Sequence, residues 1–266
     1  MIDFHNHILP NVDDGSKSLE MSLNMLKEAE RQGITDIVNT VHYQHPKVEG
    51  KDISFERITQ EIENLQKSAF ENNINVKIYN GAEVFYLPNL LELIDNPQAT
   101  IGNGKYMLIE FPIFQFPPNY KKTLFELSMK GVTPIIAHPE RYTVIQNDII
   151  ELASLVQRGC LVQIDAGSII GTFGANAQKI SHQILKNGLC HIIGSDSHND
   201  STRNICLKEA ISVCENHLGM DISEMVIDNP KKILNGEIFE PEIDLDYLIN
   251  KKTTIWMQVK SAFFNV

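Results

Sequence analysis

One pattern limits the fold of this chain more than any other. Seven short apolar runs are interleaved with amphipathic stretches between residues 2 and 217. The runs are IDFHNH (2–7), ITDIVNTVH (34–42), NVKIYNGAEVFY (75–86), YMLIEFP (106–112), TPIIAHPE (133–140), LVQIDAGS (161–168) and CHIIGSDSH (190–198). Apolar residues recur at helical spacing near 18–32, 54–72, 119–130, 147–158, 175–187 and 203–217, and Gly33, Gly131, Gly159 and Gly188 close four of these stretches. Runs that are apolar on both faces suit a parallel sheet covered by helices. Seven such units in 266 residues, near the ~250 of a (β/α) barrel, predict an α/β chain: a single-domain, distorted TIM-like (β/α)7 barrel with one stave missing or irregular. No linker, repeat or low-complexity segment divides it. Residues 1–240 are expected to form this domain. Residues 241–266 are expected to be a mainly helical C-terminal extension, packed on the barrel or serving as a contact face.

The polar residues interrupting the apolar runs fall in a pattern of their own. If 2–7 is a regular strand, Ile2 and Phe4 point one way while Asp3, His5 and His7 share the other face. His5 and His7 end the first run and His42 the second, Glu83 lies late in the third, and Glu110 and His138 close the fourth and fifth. Asp196 and His198 end the seventh, and Asp13 and Asp14 follow the first. All of these lie at carboxyl ends of strands, the face on which barrel enzymes build their sites. Clustered carboxylates repel one another unless cations are present. Imidazole and carboxylate without thiolate suit Mn2+, Fe or Zn2+. With four to six ligands per ion, about nine side chains imply two or three ions sharing bridging groups.

Only five arginines occur, and two of them, Arg141 in HPERY and Arg203 in SDSHNDSTR, lie just after these candidate ligands. A guanidinium beside a metal cluster is a natural clamp for phosphate. The formal net charge of −11 argues against nucleic acid or an anionic membrane as general partner. No apolar run approaches the ~18–20 residues of a membrane span, so membrane insertion is not expected. The opening lacks the basic-then-apolar pattern of a secretory leader, and a cytoplasmic location is expected. Cys160, Cys190, Cys206 and Cys214 form no C-x-x-C pair, and none has an arginine six positions later, as a cysteine-nucleophile phosphatase loop requires. There is no phosphate-binding G-x-x-x-x-G-K-[ST] loop or G-x-S-x-G elbow either.

In order, DFHNHILPNVDDG, TVHY, GAEV, IEFP, AHPERY and IIGSDSHN resemble the motifs of the PHP (polymerase and histidinol phosphatase) domain. They resemble most closely the bacterial manganese-dependent tyrosine-protein phosphatases of capsular and exopolysaccharide biosynthesis. The resemblance covers about residues 1–240 and implies three metals. It implies that His5, His7, Glu83 and Asp196 hold one, and that Glu83 bridges to a second completed by Glu110 and His138. Asp14, His42 and His198 would hold a third, and Arg141 and Arg203 would bind phosphate. Val41 stands where proline often precedes the histidine, and Asn6 and Asn11 replace small residues, changes that touch loop shape and not the ligands. The partner implied is a phosphotyrosine protein, the tyrosine-rich tail of a bacterial tyrosine kinase.

The chemistry expected is metal-assisted hydrolysis of a phosphomonoester. No general acid stands out, which favours an aryl ester, because tyrosine's pKa of about 10 makes its phenolate a tolerable leaving group. Phe114, Phe116 and Tyr120 in FPIFQFPPNY (111–120) are candidates to flank a phenyl ring, with loop packing the competing role. A histidinol-phosphatase-type enzyme is the main alternative. A DNA-trimming exonuclease and a non-catalytic scaffold are weaker ones, the first for its charge and the second because the ligand set is complete.

Overall fold

The computed structural model describes residues 1–239; the tail expected over 241–266 lies outside the described residues. Seven parallel strands form one sheet in sequence order: β1 (Ile2–Asn6), β2 (Asp36–Tyr43), β3 (Lys77–Phe85), β4 (Tyr106–Glu110), β5 (Thr133–Ala137), β6 (Leu161–Asp165) and β7 (Ile192–Gly194). The sheet curls until its edges meet. Around the ends of β1 and β7, His7 N–H donates to Ser197 O at 3.0 Å and Asp196 N–H to His5 O at 2.8 Å. The result is the expected α/β barrel, nearly closed.

Helices α1 (Leu19–Gln32), α2 (Phe55–Glu71), α3 (Tyr120–Met129), α5 (Ile149–Gln157) and α7 (Ala175–Lys186) cover the outside. Local chemistry sets their ends: the Ser18 side chain accepts from Met21 N–H at the start of α1, and Gly33 at φ +83° closes it. Alternation along the strands sorts side chains into two cores. Val38, Leu108, Ile135, Leu161 and Ile192 fill the interior together with Ile233 of α9 (Asn229–Leu234). Ile37, Met107, Ile136, Val162 and Ile193 pack beneath the helices. A barrel core of this kind is solid below its carboxyl rim.

Three local departures from the sequence reading matter. First, β1 does not alternate regularly. Asp3 is paired with Ile37 but Asn6 with Asn39, so β1 carries one extra residue between them. Ile2 and Phe4 join the interior core as alternation expects, and the extra residue lets His5 turn inward as well. Asp3 leaves the histidine face and is buried against Ser195, accepting from its N–H and its hydroxyl, both at 2.7 Å. Second, LVQIDAGS is a strand only to Asp165; a short helix, α6 (Ala166–Ile170), follows at once. Third, the helix expected near 203–217 begins at Leu207: α8 (Leu207–Val213) follows a turn in which Asn199 Oδ1 accepts from Arg203 N–H at 3.0 Å. Between β5 and α5 a further short helix, α4 (Thr143–Asn147), continues the chain from Arg141.

Candidate metal centre

Each candidate ligand reaches the carboxyl mouth from a different stave, and the mouth is where they converge. The Nε2 atoms of His5 and His7 lie 3.3 Å apart. Each is 3.4 Å from Glu83 Oε2 and 3.5 Å from Asp196 Oδ1. Donors about 2.1 Å from a common cation in a tetrahedral array stand ~3.4 Å from one another. These four atoms match that spacing, and Glu83 Oε2 also lies 3.1 Å from His42 Nδ1. His5 reaches this place because Gly194 faces it: a Cβ there would sit 2.5 Å from His5 Cβ and 2.7 Å from its backbone nitrogen.

A second grouping brings His7, Asp14, His42 and His198 within 4.8 Å, and a third His42, Glu83 and Glu110. Asp14 Oδ1 is 3.2 Å from His42 Nε2 and 3.3 Å from His198 Nε2. His138 Nε2 is 2.6 Å from Glu83 Oε1 and 4.0 Å from Glu110 Oε1. All nine expected side chains are thus in one connected cluster, with Glu83 at its centre.

The far nitrogens of three rings are spoken for. Gln163 uses its amide N–H on Ile164 O and Asp165, so its Oε1 accepts from His5 Nδ1 at 2.9 Å. His7 Nδ1 donates to Asp13 Oδ2 at 2.7 Å, and His198 Nδ1 donates to Asp196 O at 3.0 Å. These bonds fix the tautomer that leaves each Nε2 free to act as a donor to a cation. Buried atoms in the cluster lack hydrogen-bond partners: Asp14 Oδ1, His42 Nδ1, Glu110 Oε2 and His198 Nε2. Such orphans are costly unless something outside the chain satisfies them.

Electrostatics agrees. Burial opposes ionisation of Glu83, yet His5 and His42 outweigh it and hold the carboxyl well below its usual range. Burial also opposes charging His5, but Glu83 and Asp196 lift its pKa to about 9. At Glu110 the neighbouring histidines do not supply enough positive charge to offset burial and the charge on Glu83, which raise its pKa. An imidazole and carboxylate set of this size fits divalent transition ions.

The two arginines border the same centre. Arg141 Nη1 donates to Asp196 Oδ2 at 2.9 Å and to Asp165 Oδ2 at 3.3 Å, and Arg203 donates to the same Asp196 oxygen. Asp196 thereby turns one oxygen to the histidine pair and the other to both guanidinium groups.

Several residues that sequence reasoning left out take part. Gln163 was visible as a polar residue in an otherwise apolar strand. Asp13 was seen on the rim without a role. Lys47 and His45, in the loop after β2, gave no signal: Lys47 Nζ is 2.7 Å from Asp14 Oδ2 and 2.9 Å from His42 Nε2, and His45 Nε2 is 3.6 Å from Glu110 Oε2. His45 also lines a groove of about 660 Å³ with Tyr43, Val48, Ile53, Phe85 and Leu87. The aromatic loop resolves toward packing: Phe116 lies tilted and Tyr120 edge-on against Phe111, whereas Phe114 is 83% exposed. Among the described residues no helix is long and apolar enough to cross a membrane.

Comparison with known proteins gives a consistent result. The family described as "Capsular polysaccharide synthesis, CpsB/CapC" matches residues 1–235. The tyrosine-protein phosphatase YwqE of Bacillus subtilis (strain 168) is 34% identical over 239 residues, 89% of this chain and 92% of its own. The tyrosine-protein phosphatase CpsB of Streptococcus pneumoniae is 31% identical over 245 residues, 90% and 100% of the two chains. A chain from the crystal structures of YwqE and CpsB, described as unique metal-dependent tyrosine phosphatases, superposes with a TM-score of 0.84 at 31% identity, covering 92% of this chain and 99% of that one.

Proposed function

Because the chain belongs to the CpsB/CapC capsular polysaccharide synthesis family, we propose that it is a metal-dependent protein-tyrosine phosphatase acting on a phosphotyrosine protein. The partner proposed is a bacterial tyrosine kinase of capsular or exopolysaccharide synthesis, met in the cytoplasm. The metal proposed is manganese, as two or three ions. His5, His7, Glu83 and Asp196 would hold the first, Glu83, Glu110 and His138 the second, and Asp14, His42 and His198 the third. When bound, such ions supply Lewis acidity that polarises a phosphoryl group and lowers the pKa of water.

The chain's own residues do the rest. Arg141 and Arg203 bind and orient the phosphoryl oxygens and stabilise the charge spreading over them during in-line displacement. Asp196 sets the distance between this clamp and the histidine pair, since its two oxygens serve one each. That shared carboxylate is the observation that carries the proposal. Asp13 and Gln163 keep two of the rings oriented. The groove beside His45 has room and apolar walls for the chain segment bearing the phosphotyrosine.

The test is turnover of a phosphotyrosine peptide against histidinol phosphate, after chelation and after manganese is restored. Loss on chelation, recovery with Mn2+ and preference for the peptide are expected; preference for histidinol phosphate would replace the substrate assignment. Arg203→Ala should raise KM and the inhibition constant of phosphate with metal content unchanged, and unaltered kinetics would reject its role.

A further inference from the structure

Phe173 lies in the turn between α6 and α7, and its ring is shared by two cations. The guanidinium carbon of Arg141 is 5.1 Å from the ring centroid and that of Arg203 is 5.3 Å from it. Both guanidinium groups also bond to one oxygen, Asp196 Oδ2. Two like charges gathered on one oxygen repel, and Arg203 Nε is buried without a partner. The face of an aromatic ring attracts each of them.

We propose that Phe173 is a positioning residue for phosphate recognition: its ring holds Arg141 and Arg203 side by side, so that they meet the phosphoryl oxygens as a preset pair. This rests on Arg141 and Arg203 forming the phosphate clamp. The ring is only partly buried, and packing alone does not account for its place against two charged head groups.

The ring is itself seated. Gly167 of α6 faces it, and a Cβ there would come within 2.7 Å of Phe173 Cε2 and 3.1 Å of Cζ. The same β6–α6 corner supplies Asp165, the second anchor of Arg141. One short helix directly after a strand therefore places the ring, and a neighbouring carboxylate fixes one of the two arginines on it. Pre-set orientation of this kind lowers the ordering cost of binding an anion.

The experiment uses the metal-loaded full chain with Phe173→Leu, Phe173→Tyr, Gly167→Ala and the Gly167→Ala/Phe173→Leu double variant. Readouts are KM and kcat on a phosphotyrosine peptide, the inhibition constant of inorganic phosphate, and bound metal by elemental analysis. Phe173→Leu should raise KM and the inhibition constant roughly tenfold, with metal content unchanged, and Phe173→Tyr should stay near wild type. Gly167→Ala should shift both constants the same way, because it displaces the ring, and should add little in the leucine background. Wild-type constants in Phe173→Leu, equal impairment in Phe173→Tyr, or a full Gly167→Ala effect on top of leucine would each overturn the proposal. Calorimetric titration with phosphate separates it from the proposed function. Wild-type protein that hydrolyses no phosphotyrosine yet binds phosphate more tightly than Phe173→Leu upholds the ring and refutes the activity. Equal binding in an active enzyme does the reverse.

Discussion

Asp13 does for His7 what Gln163 does for His5: each accepts the Nδ1 proton and so leaves Nε2 facing Glu83 and Asp196. Asp13 has further duties, accepting from the backbone N–H of Gly15 at 2.9 Å and of His42 at 3.1 Å. Burial would raise its pKa, but His7, with His42 and the Gly15 N–H, outweighs it and keeps the carboxyl ionised. Asp13→Asn keeps the shape and an acceptor oxygen but removes the charge that makes His7 a good donor to a cation. Losing such an outer partner weakens metal affinity by about 10–100-fold. Metal titration of the chelated variant checks this; affinity equal to wild type would make Asp13 a loop anchor only. The nine candidate ligands were legible because a donor at the carboxyl end of a strand is marked by sequence position alone. Asp13, Lys47 and His45 were not, since their roles depend on which loop folds back over which ring, and that is settled by contacts between residues far apart in the chain.

At the scale of elements, the place where β1 meets β7 is both the seam of the barrel and the floor of the centre. With Phe4 filling the interior, the extra residue in β1 lets His5 still turn inward one residue later. The cost is crowding against β7, relieved by Gly194. Gly194→Ala would drive a methyl group into His5 Cβ and its backbone nitrogen, and neither strand has room to withdraw without breaking the Asp196 N–H to His5 O bond. We expect a loss of stability of roughly 3 kcal/mol or more, together with loss of metal binding. Denaturant unfolding checks the first and elemental analysis the second; a variant of normal stability would mean that the seam is slack. The strand and helix order was readable because periodicity reports which face each residue buries. The bulge was not, because IDFHNH alternates as a regular strand would, and only pairing with β2 reveals the extra residue. The short helix α6 was hidden for a similar reason: LVQIDAGS continues smoothly in composition past Asp165. The turn that delays α8 is set by Asn199, whose bond to Arg203 holds that arginine back toward Asp196.

Across the whole molecule, the two ends of the barrel respond to acid separately. His191 lies just before β7, at the end opposite the metal centre, with Nδ1 accepting from Val162 N–H at 3.0 Å and Phe239 edge-on to its ring. Burial disfavours the charged ring and lowers its pKa to about 4. The unfolded chain takes up this proton near pH 6.5, whereas the folded one resists until about pH 4. Stability contributed by a neutral His191 is therefore complete above pH 6.5, falls as the pH drops from there toward 4, and levels off below. The linked change is on the order of 3 kcal/mol. His45, lowered to about 4, and Glu140, raised to about 7, also titrate as the pH falls, so the total slope alone does not isolate His191. The difference between wild type and His191→Gln does, because glutamine retains an acceptor for Val162 N–H but has nothing to titrate, and the centre at the other end is untouched. Unfolding free energies measured at pH 7, 6, 5 and 4 should diverge, wild type losing more than the variant at each step downward. Parallel curves would show that the folded imidazole takes up its proton as readily as the unfolded one, and that this end of the barrel tolerates a cation its geometry says it should exclude.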